Sequence, residues 1–174
     1  MLEKEGKIDI FYFDESGFSI SSNMPYLWSE INNTAKVKTL TNKRINTLGF
    51  LSKKGKLKSF ITEDRVGSDK VIEVFNEFSK TITMPTVVVL DNASFHKSKK
   101  FKSNIARWNN LGLTIFYLPP CSPHLNIIET LWRFMKHVWI DYRAFLSIDN
   151  LRSYIENIFI YYGIFYIVDF GGVF

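Results

Sequence analysis

Thr86-Val-Val-Val-Leu90, followed at once by Asp91-Asn92, is the stretch on which the architecture turns. Four of its five residues are β-branched, and the run is too short for a helix. It shows no alternation of polar and apolar residues, so both faces of the strand must be covered. That is the signature of a central strand in a sheet with helices on each side.

The neighbours fit this frame. Ile8 to Phe13 is a second apolar run, with Asp9 near its start and Ser16-Gly17 beyond it. It predicts a mostly buried strand, with Phe18 to Ser21 as a hairpin return. Met24 to Thr39 has no clear period and predicts irregular chain. Ile45–Leu51 and Leu57–Ile61 predict two further strands, joined by a tight turn at Lys53-Lys54-Gly55-Lys56. The first three strands make an antiparallel meander. Val71, Val74, Phe75 and Phe78 recur at helical spacing over Ser68–Lys80, with Ser68 as N-cap. Lys99–Trp108 predicts a helix and Leu113–Leu118 a strand that Pro119-Pro120 ends. Ser122-Pro123 opens a helix, Ser as N-cap and Pro in the first turn, whose buried stripe is Leu125, Ile128, Trp132, Met135 and Trp139. A last helix covers Ile148 to Tyr162. The order predicts an α/β fold, a mixed five-stranded sheet flanked by helices on both faces.

The 174 residues suit one domain and are 46% hydrophobic, enough for a core. A net charge of +5 permits a polyanionic partner without requiring one. Cys121 is the single cysteine, which excludes an intrachain disulfide and a cysteine zinc cluster and fits a cytoplasmic protein. Met1 to Lys7 lacks the apolar core of a signal peptide, and the apolar run Ile158–Val168 has 11 residues where a membrane span needs about 20. No membrane partner is expected.

Three acids stand where acids are expensive. Asp14 follows the first apolar strand and shares a face with Ile10 and Tyr12, while Glu15 points to the other face. Asp91 follows Leu90, at the carboxyl end of a strand, where open α/β sheets bind ligands. Glu129 lies four residues after Leu125 and three before Trp132, on the border of the buried stripe. Each has a plainer reading: Asp91-Asn92 as a turn, or Glu129 paired with Arg133 one helical turn on. Three carboxylates meeting at one sheet edge would repel each other, and a divalent cation removes that repulsion. Mg²⁺ suits a few carboxylates plus a phosphate, and two such ions clamp the attacking and leaving oxygens of a phosphoryl displacement.

The segments Phe13-Asp-Glu-Ser-Gly-Phe18, Val87-Val-Val-Leu-Asp-Asn-Ala-Ser-Phe-His96 and Leu118-Pro-Pro-Cys-Ser-Pro-His-Leu-Asn-Ile-Ile-Glu-Thr-Leu-Trp132 resemble the DDE endonuclease domain of mariner-like transposases, nearest to those of bacterial insertion sequences. The resemblance runs from Ile8 to the last helix. It implies a ribonuclease H-like fold and a catalytic, metal-holding triad of Asp14, Asp91 and Glu129, with 37 residues between the last two. It further implies two Mg²⁺ ions (Mn²⁺ as substitute), cleavage of transposon ends, strand transfer into target DNA, and a homodimer in the synaptic complex. Relatives carry helix-turn-helix modules ahead of this domain. The single catalytic domain 1–174 is then expected to lack one: either the chain is a fragment, or the element encodes its two halves in separate frames and a separate N-terminal DNA-binding polypeptide is its partner at the bacterial nucleoid. Cys121 replaces a usual aromatic residue and Ile127 a usual Pro, and neither change touches a carboxylate.

Other residues are expected to support the triad or contact DNA. Asn92 adjoins the second Asp. His96 is placed to touch a phosphate or orient a water, or else to cap a helix at the surface. Asn126 precedes Glu129 by three and is expected to orient the loop. Lys97 and Lys99 head a basic cluster with Lys100 and Lys102, suited to phosphate contacts. The four tryptophans, Trp28, Trp108, Trp132 and Trp139, are expected in the core. Two rival readings remain: a hydrolysis-only ribonuclease H-like nuclease, and a non-enzymatic, DNA-binding remnant.

Overall fold

The computed structural model describes residues 2–20, 43–120 and 122–170. The irregular stretch expected at Met24 to Thr39, with Trp28, and Cys121 lie outside the described residues.

Five strands form one sheet: β1 (Asp9–Ser19), β2 (Arg44–Ser52), β3 (Leu57–Thr62), β4 (Thr86–Leu90) and β5 (Leu113–Tyr117). Their order is β3-β2-β1-β4-β5. The β1–β2 and β2–β3 pairs are antiparallel and the β1–β4 and β4–β5 pairs parallel, so the sheet is mixed as predicted. Gly55, with φ +77°, makes the turn between β2 and β3.

The first strand is longer than expected. Ser16-Gly17 does not turn the chain; β1 continues through both and pairs Ser16 with Thr47, Gly17 with Asn46 and Phe18 with Ile45. Small, polar residues read locally as a turn, but the pairing with β2 overrides them. A Cβ on Gly17 would collide with the side chain of Arg44, so this glycine gives an arginine passage instead of bending the backbone. Asp14 is therefore an interior residue of β1.

Helices α1 (Ser68–Ser79), α2 (Lys99–Asn110), α3 (Ile128–Phe134) and α4 (Ile148–Ile160) cover the sheet. On one face, α1 and α2 bury Val71, Phe75, Phe78, Phe101 and Trp108 against Phe11, Phe13 and Phe50. Phe13 and Phe50 are directly opposed in register with ring centroids 4.7 Å apart, and Phe78 stacks on Phe50 at 3.9 Å. On the other face, α3 and α4 bury Ile128, Trp132, Met135, Leu151 and Ile155 against Phe18, Ile45 and Leu51. Odd-numbered β1 residues from Phe11 to Phe13 thus serve one core and Phe18 the other, as a period of two requires.

Two helix starts differ from expectation. Ser68 is the first helical residue, Gly67 is the cap, and the Ser68 hydroxyl donates to the Phe95 carbonyl (3.4 Å). The helix expected from Ser122 onward is divided into a 3₁₀ turn (Pro123–Leu125), α3 proper, and a π-helical turn (Met135–Trp139). Asn126 supplies the reason for the first break: its side chain bonds to β1 and fixes the chain between the two pieces. Among the described residues no helix is long and apolar enough to cross a membrane.

Candidate active site

Strands β1 and β4 pair in parallel up to Tyr12 and Val89. Two residues further on each strand come Asp14 and Asp91, carried by the register past the carboxyl end of β4. Helix α3 packs over β1 and β2 at the same end, with Glu129 in its first turn. The Asn126 amide donates to the Phe13 carbonyl at 3.0 Å and staples the start of α3 to β1. A cleft of about 400 Å³ opens here, lined by Asp91, Asn92, Leu118, Pro119, Asn126 and Glu129.

Asp14 is buried, and its Oδ2 accepts from the indole Nε1 of Trp132 at 3.1 Å. Gly49 makes room for that indole. It sits opposite Asp14 in the β1–β2 register, and a Cβ there would lie 2.9 Å from Ile128 Cδ1 and 3.1 Å from Trp132 Cη2. Burial pushes the Asp14 carboxyl well above the usual carboxylate range, and the charges of Glu15, Glu129 and Asp91 push it further.

Asp91 is treated the opposite way. Its Oδ1 accepts from His96 Nδ1 at 2.7 Å and from the Ala93 amide at 2.9 Å. The His96 bond holds the Asp91 carboxyl below its ordinary value, with help from the Ala93 amide and the Lys97 charge. The Ala93 bond is the turn anticipated from Asp91-Asn92; turn and site coexist. Asn92 donates to the Leu118 carbonyl and ties the β4 and β5 ends together.

His96 is neither a surface cap nor exposed to a passing phosphate. Its ring is wholly buried among Phe13, Phe95 and Phe101. The flanking lysines concealed this in the sequence, because a His beside Lys97 reads as surface. Glu129, expected on the border of the buried stripe, is exposed and faces the cleft, while its neighbour Ile128 is buried with Leu131 and Trp132. Among the described residues it makes no ion pair with Arg133. Lys97 and Lys99 are exposed, as phosphate contacts would need, while Lys100 pairs with Asp69.

Sequence reasoning missed three residues. Trp132 is core, as expected, but also a hydrogen-bond donor to Asp14. Glu15 lies on the opposite face from Asp14, as alternation required, yet faces His96 across 3.7 Å. Half-buried Lys136 feels Glu129 and Asp14, although burial lowers its pKa. Its spacing from Glu129, two helical turns, was the available signal.

Among the described residues no three His, Cys, Asp or Glu side chains are gathered tightly enough to hold a metal ion unaided. Mg²⁺ does not need such a cage, since it binds through one or two carboxylates and completes its shell with water and phosphate oxygens. The donors here are all hard oxygens, and the mutual repulsion at Asp14 is the excess charge that a divalent cation offsets. The residues fit such an ion.

Residues 9–152 match the family model for the DDE superfamily endonuclease. A curated relative, "Uncharacterized protein y4pE/y4sA" of Sinorhizobium fredii (strain NBRC 101917 / NGR234), is 37% identical over 70 residues, 39% of this chain and 46% of that one. Mos1 transposase, solved as a paired-end complex with the left transposon end, superposes with a TM-score of 0.58 at 13% identity, over 91% of this chain and 49% of that chain. The HTLV-2 integrase catalytic core domain, solved with magnesium in a dimeric form, gives 0.55 at 11%, over 88% and 83%. The chain thus spans about half the length of the curated relative and of the Mos1 transposase chain. At these identities the structural likeness concerns the fold, which is ribonuclease H-like.

Proposed function

Because this chain belongs to the DDE superfamily endonucleases, we propose that it is the catalytic domain of a DNA transposase, cutting transposon ends and joining them to target DNA. The observation that supports this best is that Asp14, Asp91 and Glu129 lie at one end of the sheet, near enough for the charges of Glu129 and Asp91 to act on the buried Asp14 carboxyl.

Asp14, Asp91 and Glu129 would hold the metal. Two bound Mg²⁺ ions, or Mn²⁺ in their place, would stabilise the attacking and leaving oxygens of an in-line phosphoryl displacement. The chain's own residues prepare the site. Trp132 fixes Asp14 from below. His96 and the Ala93 amide fix Asp91 at the side. Glu129 stands free at the cleft wall to adjust to the ions and the DNA. Asn126 and Asn92 hold the two loops that frame the cleft, and Lys97 and Lys99 offer positive charge to the phosphates beside it. The working partners would be DNA, a second copy in a synaptic dimer, and an N-terminal DNA-reading module in the same or a separate polypeptide.

The test is a pair of assays with Mg²⁺: nicking of a transposon-end duplex, and joining of a pre-cleaved end to target DNA. Both should proceed and both should vanish in Asp14→Ala, Asp91→Ala and Glu129→Ala. Nicking without joining would make the protein a hydrolysing nuclease. DNA binding without either would make it a non-enzymatic remnant.

A further inference from the structure

We infer that Glu15 and His96 form a strut that sets the orientation of the Asp91 carboxylate, with His96 as a positioning residue and Glu15 as its support. The inference rests on the reading of Asp91 as a metal-holding residue.

The geometry is a chain of three groups. Asp91 Oδ1 lies 2.7 Å from His96 Nδ1, and His96 Nε2 lies 3.7 Å from Glu15 Oε2. Both Nε2 and Oε2 are buried, and neither has a hydrogen-bond partner among the described residues. An unpartnered buried polar atom carries a penalty of roughly 1–3 kcal/mol, so two such atoms facing each other call for an account. At 3.7 Å the two atoms face each other without a direct hydrogen bond. The imidazole thus has a carboxylate opposite each nitrogen, bonded to Asp91 on one side and braced by Glu15 on the other.

The surroundings keep the ring from turning away. Phe13, Phe95 and Phe101 enclose it with centroids 5.6, 4.5 and 6.0 Å distant. The Tyr117 hydroxyl donates to the His96 carbonyl at 2.7 Å and pins its backbone to β5. Both donors to Asp91, the imidazole and the Ala93 amide, converge on Oδ1. Oδ2 is thereby left for a ligand in the cleft that Asp91 lines. The strut also explains a juxtaposition in the sequence. Asp14 and Glu15 are neighbours on opposite faces of β1; one carries its own carboxylate to the site, and the other reaches the site through His96.

The test uses isosteres on the full chain, with Mn²⁺ as the probe. Asn places an amide nitrogen near the position of Nδ1, and Gln near that of Nε2. His96→Gln, which cannot reach Asp91, should weaken Mn²⁺ binding by about 10-fold or more, and His96→Asn should recover most of it. Glu15→Ala should weaken binding by about 5-fold, and Glu15→Gln, whose amide can donate to Nε2, should stay within about twofold of wild type. Urea unfolding of each variant separates loss of the fold from loss of the site. Nitrogen-15 spectra of the His96 ring give a readout independent of metal. They should show a solvent-protected proton on Nδ1 whose signal moves in both Glu15→Ala and Asp91→Ala. Glu15→Ala with wild-type Mn²⁺ affinity and an unmoved His96 signal would overturn the strut. If the wild-type chain binds no Mn²⁺, the metal reading of Asp91 fails, and the strut stands or falls on the His96 signals alone.

Discussion

The Trp132 indole donates to Asp14 Oδ2 across 3.1 Å, within the packed layer between α3 and the sheet. The most buried acid of the site is thus held by a core side chain. Trp132→Phe keeps most of the packing and removes the donor. It should lower stability by about 1–3 kcal/mol in urea unfolding, because a buried acceptor loses its partner. Metal-dependent nicking should fall as well. Full activity in that variant would show that Asp14 is oriented by something else.

Gly49→Ala tests the same contact from the opposite strand. The added methyl would lie 2.9 Å from Ile128 Cδ1 and 3.1 Å from Trp132 Cη2, closer than side chains tolerate, so Ile128 and the Trp132 indole must give way. We expect a loss of about 1–3 kcal/mol and reduced nicking, read by urea unfolding and cleavage assays. A neutral result would mean that Ile128 and Trp132 can repack without disturbing the site.

Asp14→Asn should stabilise the metal-free protein near neutral pH while abolishing nicking. The wild-type carboxyl has a raised pKa in the fold, burial being the first cause. For a raised acid, the unfolded chain loses its proton first, so stability falls as pH climbs from the ordinary aspartate value to the folded one. Asn removes that loss. The gain in melting temperature should therefore be present at pH 7 and disappear near pH 3. A gain independent of pH would point to packing instead of charge.

Asp9 offers the converse. Lys56 at 2.9 Å and Lys54 at 3.4 Å hold its carboxyl below the ordinary range. A lowered acid contributes stability above its unfolded pKa and loses it as pH falls through the folded one. Asp9→Asn should cost roughly 0.5–1 kcal/mol at pH 7, since both lysines are solvent-facing, and progressively less as acid protonates the folded carboxyl. Thermal melts from neutral to acid pH decide it.

How far the sequence could be read is visible in these same residues. Strand alternation placed Asp14 and Glu15 on opposite faces, and the β-branched run before Asp91 marked an interior strand, although β1 and not β4 is the middle of the five. Helical spacing brought Glu129 and Trp132 to one element. Three things were not legible. The continuation of β1 past Gly17 depends on Arg44 and β2, distant in the chain. The exposure of Glu129, one position past buried Ile128, depends on which border of the stripe faces the cleft, and helical spacing alone does not say. The burial of His96 follows from Phe13 and Phe101 closing on it, while its own neighbours, Lys97 and Lys99, suggest a surface. Periodicity reports which face a side chain takes, and it does not report which atom answers it there.

Exposed Lys97 and Lys99 should contribute to DNA binding without reading sequence. Ala at both should weaken binding to matched and scrambled duplexes alike. If each contacts one phosphate, the slope of log affinity against log salt should shrink by about 1.8, at about 0.9 per phosphate. A titration at several salt concentrations measures this; an unchanged slope would remove both lysines from the DNA path.

The Asn126–Phe13 and Trp132–Asp14 bonds span 113 and 118 residues of chain. The strands and first two helices that emerge early in synthesis can pair and pack through nearer contacts, whereas these two must wait for α3. A nascent chain halted before residue 126 would have most of its sheet and no assembled acid cluster. The protein would thus acquire its chemistry late in its own manufacture, after the scaffold that confines it.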